Sequence, residues 1–188
     1  MMAVSSPQYV WTLFTKPIMA NLGVTLPEVQ VTFSILIVLQ TFFSPFQGYC
    51  VDKFGLRLLL SVGAILTGLS WILAANVDSL GGLYLIYGAL GGIGTSIIYV
   101  GIVGLMVNWF PDWRGFATGV VATGYGMGAM MTTFPITNSL AGNGLAQTLT
   151  VFGVIFAVIG TLAALGLRRP PANSSQPPPW HKPTWRLK

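Results

Sequence analysis

The sequence predicts an all-α membrane protein of six transmembrane helices, the first of them short. Three observations predict it. Charged residues make up 7% of the chain against 53% hydrophobic, with a mean hydropathy of +0.72, which leaves too few polar side chains to solvate a water-facing surface. Five runs contain no Asp, Glu, Lys, Arg or His, and each is near the roughly 20 residues that cross a bilayer. Lys and Arg gather in alternate turns between those runs, the arrangement expected of cytoplasmic loops.

Taken in order, the helices are expected at about 1–19, 29–50, 58–76, 80–109, 116–140 and 145–167, forming one transmembrane unit over 1–167. The first segment is apolar but short, and Lys16-Pro17 interrupts it, so it reads as a helix missing its beginning. It has neither the basic start nor the small-residue cleavage site of a secretory signal and is expected to stay in the mature protein. Thr25-Leu26-Pro27-Glu28 sets a hydroxyl three residues before a carboxylate, with proline in the first turn, which marks the start of the second helix. The fifth and sixth runs are separated only by Ala141-Gly142-Asn143-Gly144, a turn suited to two helices meeting outside the hydrocarbon. From Arg168 the chain changes to Arg-Arg-Pro-Pro and then Gln176-Pro177-Pro178-Pro179-Trp180, so 168–188 is expected to be a disordered, proline-rich cytoplasmic tail.

With that tail inside, Lys53, Arg57, Arg114, Arg168, Arg169, Lys182, Arg186 and Lys188 fall on the cytoplasmic side and only Lys16 falls outside. Six helices with both termini cytoplasmic satisfy this distribution. The net charge of +5 does not point to nucleic acid, because outside the tail the cations are scattered singly. The lone Cys50 excludes an intramolecular disulfide, and no Cys or His cluster has metal-ligand spacing, so no metal and no cofactor are expected. Enzymatic acid–base work is not expected either, since the five runs hold no His, Asp or Glu and no Ser-His or Cys-His pairing. Gly88–Gly94 and Gly124–Gly128 are glycine-rich but lie inside apolar runs without a strand or a phosphate-binding lysine; they serve helix packing rather than nucleotide binding.

Two loops carry mechanism. Gly48-Tyr49-Cys50-Val51-Asp52-Lys53-Phe54-Gly55-Leu56-Arg57 joins the second and third runs. Its glycines let helix ends approach, its carboxylate is placed to face a helix amino terminus, and its cations hold the turn inside. This stretch is similar to the signature of the major facilitator superfamily, and Gly48, Asp52, Lys53, Gly55 and Arg57 are the matching positions. The resemblance implies a tight cytoplasmic turn that latches a gate against a second half; Leu58 stands where the family has a further basic residue. Asn108-Trp109-Phe110-Pro111-Asp112-Trp113-Arg114-Gly115 resembles the family's next cytoplasmic loop. There Pro111 ends one helix, Asp112 and Arg114 are placed to pair, and Gly115 permits close packing of the next helix.

Within the superfamily the chain resembles the oxalate:formate antiporter family, through 8–13, 21–24, 49–55, 109–115 and Gly124-Tyr125-Gly126. That resemblance implies one amino-terminal half of a carrier exchanging small carboxylates across the cytoplasmic (inner) membrane by alternating access. It places Gln8 and Tyr9 at the cavity on the first helix and Tyr99 near the substrate on the fourth. The partners it implies are the lipid bilayer, a small organic anion and a second six-helix half missing from this chain. A dicarboxylate needs compensating cations. The charge-free runs offer only hydroxyl, amide and indole groups, so these 188 residues alone are not expected to transport oxalate. The competing readings are plain interhelical packing for Tyr9 and Tyr99, interhelical hydrogen bonding for Gln40 and Gln47, and, for the whole chain, a non-transporting membrane partner or truncated remnant.

Overall fold

The computed structural model describes the backbone of residues 7–167 and every side chain in that range except those of Pro7, Gln8, Gly48 and Asp52. The expected tail at 168–188 therefore lies outside the described residues. Six helices follow one another: α1 Pro7–Leu22, α2 Leu26–Phe42, α3 Ser44–Phe54, α4 Leu56–Ala74, α5 Leu80–Trp109 and α6 Arg114–Gly166. A 3₁₀ turn, Pro111–Trp113, precedes α6.

Lys16-Pro17 does not end the first helix. Proline removes one backbone donor, but α1 continues to Leu22, held by Phe14 and Ile18, which are buried on either side of the interruption. The start of α2 is closed by Glu28, whose Oε2 accepts both the Thr25 backbone N–H and the Thr25 hydroxyl at 2.8 Å. Where the sequence suggested one helix over 29–50, the chain bends by 47° between α2 and α3. Pro45 sits in the first turn of α3, so its missing N–H falls at the break. α3 then runs on to Phe54, two residues beyond the start of the aspartate-lysine pair, and the turn into α4 is confined to Gly55. Gly55 has φ +87°, and a Cβ there would meet nothing within 4 Å, so backbone conformation rather than space calls for glycine.

α5 carries a π-helical segment, Tyr84–Leu90, between its first turn and Gly91–Trp109. α6 is broken at Gly144 (φ 78°, ψ 179°) into two limbs, 114–143 and 145–166. The Ser139 and Thr148 hydroxyl oxygens are 3.0 Å apart. In an unbroken helix nine residues would separate them by about 13 Å, so the limbs fold back on each other.

The core centres on Trp71 of α4, 1% exposed, whose ring lies 5.3 Å from Phe14, 5.0 Å from Phe156 and 6.2 Å from Tyr87. Around it the backbones meet at small residues. A Cβ on Gly92 of α5 would come to 2.9 Å from the Leu36 carbonyl oxygen, one on Gly94 to 2.8 Å from the Thr67 nitrogen, and one on Gly68 to 2.5 Å from the Gly153 oxygen. α4 is thereby clasped between α5 and the second limb of α6.

By length and composition α4, α5 and the 56-residue stretch Pro111–Gly166 can each cross a membrane, and α2 with α3 makes a fourth if counted as one bent span. The last stretch is more than twice the roughly 20 residues a crossing requires, so its two limbs supply two crossings. α1, with 16 residues, falls short of that length. No strand occurs among the described residues.

Candidate functional site

Between α1, α2, α5 and the first limb of α6 lies a groove of about 280 Å³, lined by Tyr9, Ile37, Gln40, Thr41, Tyr99, Ala122 and Tyr125. Its core is a tyrosine triplet from three helices. Tyr125, 3% exposed, holds the middle; Tyr9 meets its ring edge-to-face at 5.2 Å and Tyr99 at 5.4 Å. Tyr9 itself is 55% exposed and stands at the open rim.

The structure brings the two tyrosines singled out in the sequence into one groove, and joins them through a third. Tyr125 carried the family resemblance but had no role assigned; its signal was an aromatic flanked by Gly124 and Gly126 in a charge-free run. Gln40 lines the groove, whereas Gln47 is buried away from it and bonds the Ser96 hydroxyl from Nε2 at 2.6 Å. Gln8 belongs to α1, but its side chain is outside the described set.

No charged side chain is among the groove's lining residues. What the groove offers is phenolic hydroxyls, an amide and a threonine hydroxyl on an apolar floor. Such groups can orient a small polar molecule by hydrogen bonding, but they do not neutralise an anion.

The signature residues lie at one end of the helices. Lys53 sits over the exposed Phe54 ring at 5.6 Å, and Asp52, beside it on α3, has no described side chain. The Arg57 Nε donates to the carbonyl of Leu167, just beyond the end of α6. A guanidinium there meets the free carbonyls and negative pole of a helix carboxyl end. Phe54, Gly55, Leu56, Arg57 and Leu58 border an open depression of about 440 Å³ beside this contact. In the next loop the expected Asp112–Arg114 pair does not form: the Arg114 Nε instead donates to the Pro111 carbonyl at 3.1 Å, closing its own turn. Gly115 is not at a close approach either, since a Cβ there would meet nothing within 4 Å.

At the opposite end Asp78 and Asn21 border a smaller polar cavity of about 230 Å³ together with Leu145, the first residue after the Gly144 break. The Gly55 turn and the Leu167 end thus share one end of the helices, and the Asp78 and Gly144 turns share the other.

The sequence profile of the Major Facilitator Superfamily matches residues 1–187. The chain belongs to this superfamily. It is 37% identical over 170 residues to the oxalate:formate antiporter of Oxalobacter formigenes, covering 90% of this chain and 40% of that protein. It is 29% identical over 147 residues to the uncharacterized MFS-type transporter YhjX of Escherichia coli, covering 78% of this chain and 37% of that one. Among solved structures it resembles the inward-open xylose transporter XylE of Escherichia coli with a TM-score of 0.71 at 15% identity, over 90% of this chain and 46% of XylE. That likeness concerns the fold alone. The chain is a multi-pass membrane protein built as one helical half of a major facilitator transporter, and it spans about 40% of the length of the curated relatives just named.

Proposed function

We propose that this chain forms the amino-terminal half of a secondary carrier that exchanges small carboxylates such as oxalate and formate, and that the tyrosine groove is its share of the substrate site. The observation that carries the reading is the convergence of Tyr9, Tyr99 and Tyr125 from three helices on one uncharged groove. Phenolic hydroxyls donate to carboxylate oxygens, and the ring edges, which carry partial positive charge, suit an anion's rim. The compensating cations are assigned to a second six-helix half. Relatedness to an oxalate:formate antiporter supports the substrate class.

In this reading the groove is reached from alternate sides of a cytoplasmic membrane as the halves rock, and the Lys53–Arg57 turn is the cytoplasmic latch. Both termini are cytoplasmic, an orientation supported by Lys53 and Arg57 sharing one helix end and Asp78 occupying the other.

The test is a chimera in which residues 1–167 replace the matching part of the Oxalobacter antiporter, reconstituted in liposomes. Saturable oxalate–formate exchange that falls at least about tenfold on Tyr125→Phe is the expected result. Exchange indifferent to Tyr9, Tyr99 and Tyr125 would remove the groove from the mechanism. Saturable oxalate uptake by the 188-residue chain alone would overturn the half-site reading. Reporter fusions at Lys53 and Asp78 landing on one face of the bilayer would overturn the orientation.

A further inference from the structure

The bend between α2 and α3 is tied sideways to α5 by a chain of two hydrogen bonds. Gln47, on α3 after the bend, donates from Nε2 to the Ser96 Oγ at 2.6 Å, and Ser96 donates onward to the carbonyl of Gln40, on α2 before it, at 2.8 Å. One hydroxyl therefore holds both arms of the bent helix. The directions are fixed: Ser96 has a single proton and gives it to a carbonyl, so toward Gln47 it can only accept, and the amide nitrogen must face it. The Gln40 carbonyl is the acceptor that an unbroken helix would offer to the N–H of Ser44; at the break it takes the serine instead.

Both side chains are sealed, Ser96 at 0% and Gln47 at 4% exposure. Within that seal the Gln47 Oε1 has no partner among the described residues. Losing the Nε2 bond there would leave a buried donor unpaired, so the bond is costly to break. The tie also reaches the groove. Gln40 and Thr41 line it, and Tyr99 follows Ser96 by three residues on the same face of α5.

We propose that Ser96 is a positioning residue: it pins the bend, so that Gln40 and Thr41 stand beside the tyrosines while α3, which carries Lys53, lies against α5. Releasing the pin frees the α3 arm and withdraws Gln40 from the groove. The consequence for a bound carboxylate rests on the reading given under Proposed function, whereas the pin itself does not.

The chain carries its own reporter. Cys50, its only cysteine, sits on α3 and is partly covered. The rate at which N-ethylmaleimide alkylates it, measured on the full chain in lipid nanodiscs, reads how firmly the arm is held. Ser96→Ala and Gln47→Met are each expected to raise that rate at least about fivefold, because each cuts the side-chain link by which α5 holds both arms. The double variant is expected to be no faster than either single one, since the two act through one bond; independent packing defects would add. Ser34→Ala, which removes an exposed hydroxyl bonded only within α2, is the control and keeps the wild-type rate. If Ser96→Ala loses helical content by circular dichroism, Gln47→Met decides the matter alone. Wild-type alkylation in well-folded Gln47→Met, or additive rates in the double variant, would overturn the pin, whatever the chimera does. Fast alkylation beside exchange that ignores the tyrosines would leave the pin standing and remove the functional reading.

Discussion

Two glycine-rich stretches, both inside largely uncharged helices, do opposite things in this fold. Along Gly88–Gly94 of α5 an added Cβ would collide with a neighbouring helix at Gly92, against the Leu36 backbone, and at Gly94, against the Thr67 nitrogen, and would press to 3.1 Å at Gly88 and Gly91. Along the first limb of α6, Gly115, Gly119 and Gly126 have open space around them, and Met127, Met130, Met131 and Phe134 stand exposed. The first stretch is spent within the chain. The second sits on a face that nothing among the described residues covers. Small residues in a membrane helix thus mark close approach only where a partner helix is present, and their spacing does not say which partner that is.

The comparison breaks most sharply where the packed side is overfilled. At Gly68 the obstacle is the Gly153 carbonyl oxygen at 2.5 Å and the Ala157 Cβ at 2.6 Å, which cannot rotate away. Gly68→Val is expected to destabilise by about 3 kcal/mol or more and to abolish the monodisperse peak in detergent size-exclusion chromatography. A normal elution profile would mean that α4 and the second limb of α6 are less closely clasped than described. Of similar size is Trp71→Ala, which empties the place where rings from α1, α5 and α6 meet. The expected loss is about 3–5 kcal/mol, read as a lower thermal unfolding midpoint in mild detergent.

How much of this was legible beforehand divides along the same line. The absence of charge located the apolar runs, and Thr25 and Glu28 mark the start of α2 because capping is local chemistry within four residues. The break at Pro45 escaped notice because proline in a membrane helix signals a possible bend, not whether a neighbour such as Ser96 will stabilise one. Pro17 misled in the opposite direction: burial of Phe14 and Ile18 carries α1 through it. Family resemblance singled out Tyr9 and Tyr99, but the ring contacts that join them through Tyr125 are visible only once three helices are assembled. The Arg114 side chain had two local acceptors, and geometry in a one-turn 3₁₀ segment favoured the Pro111 carbonyl over Asp112.

A smaller effect is expected at the helix ends. Arg57 reaches the Leu167 carbonyl from an exposed position, so Arg57→Ala should cost only about 0.5–1 kcal/mol and leave the thermal midpoint almost unmoved. Its mark should appear instead as faster proteolysis near the end of α6, because the cap holds that end and not the core. Unchanged proteolysis would show that the end is held without it.

The smallest effect is the most discriminating. Gly126 faces open space in a helical backbone, so Gly126→Ala should stabilise this chain by about 0.4–1 kcal/mol through reduced freedom of the unfolded state. In the two-half chimera the same methyl group would meet whatever covers the first limb of α6. If that face meets a second half as closely as Gly94 meets Thr67, the gain in the isolated chain should turn into a loss of stability and slower exchange in the chimera. If the face only meets lipid, the gain should persist in both, because hydrocarbon tails yield to a methyl group and a packed backbone does not. Opposite signs from one substitution in two contexts would separate a helix face awaiting a partner from one that is simply greasy.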